Sequence, residues 1–78
     1  MNAIKRKKKM EFSQKIKLVR NVLNISQENL AKELGVSFAT INRLENGKTL
    51  PSYKTIRNFT NFCEKYKTPL REVYEELK

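Results

Sequence analysis

The apolar residues of this chain recur at spacings of three and four, which is the pattern of amphipathic helices. The first such stretch carries Phe12, Ile16, Val19 and Leu23. No stretch alternates apolar and polar residues in the way that a half-buried strand requires. The spacing therefore predicts an all-α chain whose first helix runs from residue 12 to residue 23.

Serine and glycine residues then mark the ends of two short helices. Ser26 can act as the N-cap of a second helix over 27–34, whose inward residues are Leu30, Ala31 and Leu34. Gly35 ends that helix, and Ser37 can cap a third helix that runs to Glu45. Its inward residues are Ile41 and Leu44, and Asn46-Gly47 ends it with turn chemistry.

Two more helices are predicted in the C-terminal half. After Leu50-Pro51, Ser52 can cap a fourth helix that runs to about Tyr66 and presents Ile56, Phe59 and Cys63 on its inward face. Thr68-Pro69 has the form of an N-cap followed by a proline in the first helical position. It predicts a fifth helix lined by Leu70, Val73, Tyr74 and Leu77. Five short helices describe one compact domain over residues 11–78.

Composition limits the function of this 78-residue chain. The longest uninterrupted apolar runs have two residues, against the ~20 that a bilayer span needs, so no transmembrane helix is expected. The chain has no histidine and a single cysteine, Cys63, which removes the commonest general base, an internal disulfide and a metal cluster. We therefore expect no enzyme, no cofactor and no metal site, and a protein of the reducing cytoplasm.

The charge is strongly positive and uneven. The chain has 17 Lys and Arg against 8 Asp and Glu, a formal charge of +9, and residues 1–10 contribute +5 of it without any acid. A run of like charges that buries little predicts a disordered basic arm over 1–10. Such a charge indicates a polyanionic partner, either nucleic acid or an acidic membrane surface.

The second and third helices have the spacing of a helix-turn-helix. Ala31 is small where the two helices would cross, and Gly35 can adopt the left-handed conformation that a tight turn needs. The hinge is sealed by Leu30, Leu34, Val36, Ile41 and Leu44. The residues of the third helix that remain outward are Phe38, Ala39, Asn42 and Arg43.

The segment SQENLAKELGVSFATINRLENGK, residues 26–48, resembles the helix-turn-helix domain of phage repressors and Cro proteins, the XRE family. The residues that carry the resemblance are Gln27, Ala31, Gly35, Ile41 and the LENG run at 44–47. The resemblance implies a five-helix lambda-repressor-like fold. It also implies a sequence-specific transcriptional regulator, most simply a repressor, that binds a palindromic operator on double-stranded DNA.

In that family the third helix lies in the major groove. The resemblance therefore implies base contacts by Ser37, Phe38, Ala39, Asn42 and Arg43. Arg43 could bind guanine and Asn42 adenine through two hydrogen bonds each, while Phe38 and Ala39 could meet a thymine methyl group. Two alternatives remain open: Asn42 and Arg43 could form an ordinary solvated face, and Phe38 could fold back onto the hinge.

Other residues match supporting positions of the family. The resemblance implies phosphate contacts by Gln27, Thr40, Asn46, Lys48 and Lys54. Arg20 and Glu45 match positions that form a structural ion pair in some members.

The partners beyond DNA stay open. A homodimer is expected, because one recognition helix covers only a few base pairs. The stripe Leu70, Val73, Tyr74 and Leu77 could form its interface or merely close the core. A Cro-like switch, an antitoxin with a toxin partner, and a restriction-modification regulator all fit this bacterial or phage module.

The basic arm has two interpretations of its own. It could follow phosphates or enter the minor groove beside the recognition helix. In the alternative class of function, the domain binds protein and the arm meets an acidic partner or membrane. Residues 1–10 contain too few apolar side chains for an inserted amphipathic face, so we expect no membrane partner.

Overall fold

The computed structural model describes residues 10–78, and this part of the chain contains five α-helices and no strand. They are α1 (Phe12–Leu23), α2 (Gln27–Leu34), α3 (Phe38–Glu45), α4 (Tyr53–Lys65) and α5 (Tyr74–Leu77). The predicted all-α class is confirmed, and so are the bounds of the first three helices. The basic arm predicted for residues 1–10 lies, apart from Met10, outside the described residues.

The three serines act as N-caps as predicted. The Oγ atoms of Ser26, Ser37 and Ser52 accept hydrogen bonds from the backbone N–H groups three residues later, at 3.0, 3.0 and 3.2 Å. Each bond satisfies one of the N–H groups that a helix start leaves without an intrahelical acceptor, which is worth about 1 kcal/mol. Local sequence thus fixes where α2, α3 and α4 begin.

The turn between α2 and α3 depends on Gly35, which has φ +71°. A Cβ atom built there would meet nothing within 4 Å, so the left-handed backbone and not crowding favours glycine. The next residue, Val36, returns its N–H to the carbonyl of Ala31 at 3.0 Å and closes the end of α2. This tight closure leads the chain directly from α2 into α3, which packs against α2.

The core lies between α1, α2, α3 and α4. Its fully enclosed side chains are Ile16, Val19, Leu30, Leu34, Ile41 and Leu70. Phe59 of α4 and Phe12 of α1 pack in a T-shaped arrangement with ring centroids 5.1 Å apart. Because α3 packs against both α1 and α2, its inner face is held on two sides while its outer face stays in solvent.

The prediction of a helix beginning at Thr68-Pro69 is wrong. Residues 66–73 form successive turns, and α5 has only four residues, Tyr74–Leu77. The N–H of Leu70 reaches back four residues, to the carbonyl of Tyr66 at 3.0 Å, whereas that of Val73 reaches back three, to Leu70 at 2.9 Å. Burial of the Leu70 side chain sets the path of this segment and overrides the local cap signal.

The stripe predicted as a possible dimer interface closes the core instead. Leu70, Tyr74 and Leu77 are buried, and Val73 is half-buried against the same cluster. This burial favours the second interpretation of the stripe, that it closes the core.

Among the described residues, no helix is long and apolar enough to cross a membrane.

The inward face of α4 also differs from the prediction. Ile56 is 39% exposed, whereas Phe62, two turns later, is buried. Phe59, Phe62 and Cys63 together with Thr55 define the buried stripe of α4, and this rotates Ile56 to the rim of the core. Because the buried stripe contains a threonine, the pattern of hydrophobic residues alone does not identify the buried face of α4.

Candidate nucleic-acid interface

The outer face of α3 carries the side chains that the sequence places outward. Phe38, Ala39, Asn42 and Arg43 are exposed, whereas Ile41 and Leu44 on the opposite face are buried. Two turns of helix therefore present an amide and a guanidinium one residue apart. Both groups can make paired hydrogen bonds to the edge of a nucleobase.

The first turn of α3 is closed by two hydroxyl groups. Ser37 Oγ accepts the N–H of Thr40 at 3.0 Å and lies 2.9 Å from Thr40 Oγ1. Thr40 is half-buried and Ser37 is exposed. These contacts hold the helix start rigid, and the positive end of the helix dipole there favours an anion.

Phe38 combines the two alternatives left open for it. Its side chain is 50% exposed, and with Ala31 and Val36 it lines a shallow depression between α2 and α3. Part of the ring therefore lies along the hinge, and the rest remains in solvent. The exposed part can still offer an apolar contact.

Arg20 of α1 and Glu45 at the end of α3 form a two-pronged ion pair. Arg20 Nε lies 2.5 Å from Glu45 Oε2, and Arg20 Nη2 lies 3.1 Å from Glu45 Oε1. Arg20 Nη1 also donates to the carbonyl of Ile25 at 3.1 Å. The carboxylate is 4% exposed, so this pair fixes the end of α3 against α1.

The ion pair keeps Glu45 charged despite its burial. Burial is the largest influence on the pKa of Glu45 and raises it, because the carboxylate loses water. The hydrogen bonds from Arg20 and Gln27, with the charges of Arg20 and Lys17, outweigh burial and lower the pKa of Glu45 below its ordinary value. The hydrogen bond to Glu45 raises the pKa of Arg20 in turn, against the effect of burial.

Three amide side chains continue from Glu45 along the surface. Gln27 Nε2 donates to Glu45 Oε1 at 3.0 Å, and Asn42 Nδ2 donates to Gln27 Oε1 at 3.3 Å. Asn46 Nδ2 then donates to Asn42 Oδ1 at 3.2 Å. The structure thus joins Asn42, expected to contact bases, to Gln27 and Asn46, expected to contact phosphates. The sequence offers one signal for this, the spacing of four between Asn42 and Asn46.

The loop after α3 contains Lys48, one of the two lysines predicted to contact phosphate. Gly47 has φ +69°, and the N–H of Lys48 returns to the carbonyl of Arg43 at 2.9 Å. The side chain of Lys48 is exposed there. Lys54 is exposed in the first turn of α4.

Lys17 of α1 is a further basic residue that acts on the Arg20–Glu45 pair. It is exposed on α1, and its positive charge helps to lower the pKa of Glu45. The signal available was its position three residues before Arg20, which puts both on one helix face.

The described residues offer little for catalysis. No group of three or more Cys, Asp, Glu or His side chains in this part of the chain could hold a metal ion. Cys63 is buried, and burial raises the pKa of its thiol to about 11. A thiol in that state is a poor nucleophile at neutral pH.

Comparison with known proteins agrees with this geometry. A helix-turn-helix family, HTH_3, matches residues 16–70, which include α1 from Ile16 onward, all of α2, α3 and α4, and the buried Leu70. The chain is 36% identical over 53 residues to the HTH-type transcriptional activator BcrR of Enterococcus faecalis. It is 46% identical over 48 residues to MJ0272 of Methanocaldococcus jannaschii, named as an uncharacterized HTH-type transcriptional regulator.

These matches cover different shares of the proteins. The match to BcrR spans 68% of this chain but 26% of BcrR, and the match to MJ0272 spans 62% of this chain and 73% of MJ0272. No solved structure gives a significant match. The chain therefore belongs to the XRE-type helix-turn-helix family, whose members are DNA-binding transcriptional regulators and not enzymes.

Proposed function

We propose that this domain recognises a specific DNA sequence by placing α3 in the major groove. The observation that carries the proposal is the exposed face of α3, which presents Asn42 and Arg43 from a helix anchored on its other side by Ile41, Leu44 and the Arg20–Glu45 pair. A rigid support matters because base readout requires donors and acceptors in fixed positions.

The side chains divide into two roles. Arg43 binds guanine and Asn42 binds adenine, and each of these contacts discriminates against the wrong base by about 1–3 kcal/mol. At the start of the helix, Ser37, Phe38 and Ala39 meet base edges or a thymine methyl group. Phosphate contacts fix the register of the domain on the duplex. The residues proposed for those contacts are Gln27, Thr40, Asn46, Lys48 and Lys54.

Two copies of the domain bind a palindromic operator, since a single recognition helix reads too few base pairs for adequate specificity. Occupancy of a promoter by such a dimer represses transcription. The relative from Enterococcus faecalis is named an activator, so the direction of regulation has an experiment of its own. A reporter gene carrying the operator in its promoter would fall in expression for a repressor and rise for an activator.

Selection of bound sites from random duplex DNA tests the proposal. We expect an enriched palindrome with half-sites about one helical turn apart. Replacing Asn42 and Arg43 together with alanine should abolish the preference for that palindrome. Arg71→Ala removes the same charge as Arg43→Ala from the turns before α5, and it should retain the preference. Recovery of the same sequence by the Asn42/Arg43 double variant would refute the role of α3.

A further inference from the structure

Three side-chain hydrogen bonds lead from Asn46 to Glu45, and all three run in the same direction. Asn46 donates to Asn42, Asn42 donates to Gln27, and Gln27 donates to Glu45. In each step an amide N–H₂ group meets an oxygen that lies one side chain closer to Glu45. We call Glu45, Gln27, Asn42 and Asn46 the amide relay.

The carboxylate explains this direction. An ionised carboxylate can only accept hydrogen bonds, whereas a primary amide donates at one end and accepts at the other. Glu45 Oε1 accepts from Arg20 Nη2 and from Gln27 Nε2, so the Gln27 N–H₂ group must face the carboxylate. The Gln27 carbonyl oxygen then points outward and can take only a donor, which Asn42 supplies.

Shape alone would not choose between the two amide orientations. The N–H₂ and C=O ends of an amide are nearly the same size, so a flipped side chain fills the same space with the opposite hydrogen-bonding pattern. For Asn42, a flip would exchange the donor and the acceptor that face the base. The choice must therefore come from a group that cannot itself flip, and within the relay only Glu45 meets that condition.

We propose that Glu45 is a positioning residue for DNA readout, because its carboxylate sets the amide orientation of Gln27, Asn42 and Asn46 before DNA arrives. With one N–H used toward Gln27 and one lone pair toward Asn46, Asn42 keeps one N–H and one lone pair in fixed places. This consequence for DNA rests on the proposed function. The orientation itself is a property of the free protein.

The free protein gives the decisive measurement. In Glu45→Gln the group facing Gln27 can donate as well as accept, so both amide orientations become possible along the relay. We expect the side-chain amide NMR signals of Asn42 and Asn46 to move from their wild-type positions. Glu33→Gln is the matched control, because Glu33 is exposed on α2 beside Lys65 and the variant changes the net charge equally. Wild-type signals for Asn42 and Asn46 in Glu45→Gln would overturn the inference.

A second variant guards against loss of folding, since Glu45→Gln also weakens the pair with Arg20. Gln27→Met keeps the length of the side chain and leaves the Arg20–Glu45 pair in place, but it interrupts the relay next to Glu45. The Asn42 and Asn46 amide signals should move in this variant too. If they stay unchanged while the variant is folded, Glu45 does not act through Gln27 and the inference fails.

Binding to DNA then tests the consequence. The ratio of affinities for the selected palindrome and for a duplex altered at the adenine assigned to Asn42 should fall about tenfold in Glu45→Gln, because that contact carries the discrimination. Glu33→Gln should keep the wild-type ratio. An unchanged ratio in Glu45→Gln would remove the positioning role. If the wild-type protein shows no preference among duplexes, the proposed function fails, and the free-protein signals still decide the orientation.

Discussion

Arg20 and Glu45 connect the first helix to the end of the third through two hydrogen bonds, at 2.5 and 3.1 Å, around a carboxylate that is almost fully enclosed. Because α3 is only two turns long, its own backbone hydrogen bonds cannot hold it in place. The ion pair with Arg20 and the burial of Ile41 and Leu44 against the other helices do so. The orientation of α3 relative to the rest of the domain therefore depends on a contact with α1.

Removing Arg20 should destabilise the protein strongly. Arg20→Ala leaves the Glu45 carboxylate buried without its cation, a change that costs about 3 kcal/mol for an enclosed pair. Urea denaturation followed by circular dichroism measures the loss. Arg57→Ala, an exposed arginine of α4, should stay within about 0.5 kcal/mol of the wild type. Equal midpoints for Arg20→Ala and the wild type would show that the pair contributes nothing to stability.

The same pair predicts a loss of stability in acid. The pKa of Glu45 lies below its ordinary value of 4.5 in the folded protein, so folding favours the ionised form. The stabilising contribution of the ionised Glu45 is complete above pH 4.5. It disappears as the pH falls through the pKa that Glu45 has in the folded protein. The difference in free energy of unfolding between the wild type and Glu45→Gln should therefore shrink as the pH is lowered below 4.5. A difference that stays constant across this range would contradict the linkage.

Local chemistry explains why most of the fold could be predicted. A serine cap followed by apolar residues at spacings of three and four depends on a few neighbouring positions, and these fixed the starts of α2, α3 and α4. The segment before α5 could not be predicted in this way. Its path is set by burial of Leu70 against the rest of the core, and a cap motif contains no information about that packing.

For the same reason, one part of the candidate site could be predicted from the sequence and another part could not. The exposed face of α3 follows from the burial of Ile41 and Leu44, which periodicity predicts. The amide relay does not follow from periodicity, because Gln27 lies on α2 and meets Asn42 only after the turn at Gly35 has fixed the angle between the helices. Contacts of that kind are set by tertiary structure.

Gly35 should tolerate asparagine better than alanine. At φ +71° an alanine side chain clashes with its own backbone at a cost of about 1–2 kcal/mol, although the space around the site is open. Asparagine adopts the left-handed conformation more readily, as Asn24 does here at φ 56°. Thermal denaturation should rank the wild type first, Gly35→Asn second and Gly35→Ala last. The opposite order of the two variants would indicate that the site is limited by packing.

The basic residues at the N-terminus should add to DNA affinity without adding specificity. Deleting residues 1–9 removes Lys5, Arg6, Lys7, Lys8 and Lys9. Each phosphate that such a side chain neutralises contributes about 0.9 to the slope of log affinity against log salt concentration. We expect the truncated protein to bind all duplexes more weakly and with a flatter slope. A slope identical to that of the full chain would show that these residues do not contact DNA.

Lys48 and Lys54 should act on the phosphate backbone in the same measurable way. Both are exposed, one in the loop closed by the Lys48–Arg43 backbone hydrogen bond and the other in the first turn of α4. Replacing either with alanine should lower the salt slope by about 0.9 and weaken binding to specific and unrelated duplexes alike. Lys78→Ala removes the same charge beside Glu75, at the far end of the described chain, and should leave the slope unchanged. If Lys48→Ala changes the preferred sequence instead, that lysine reads bases and its assignment to phosphate is wrong.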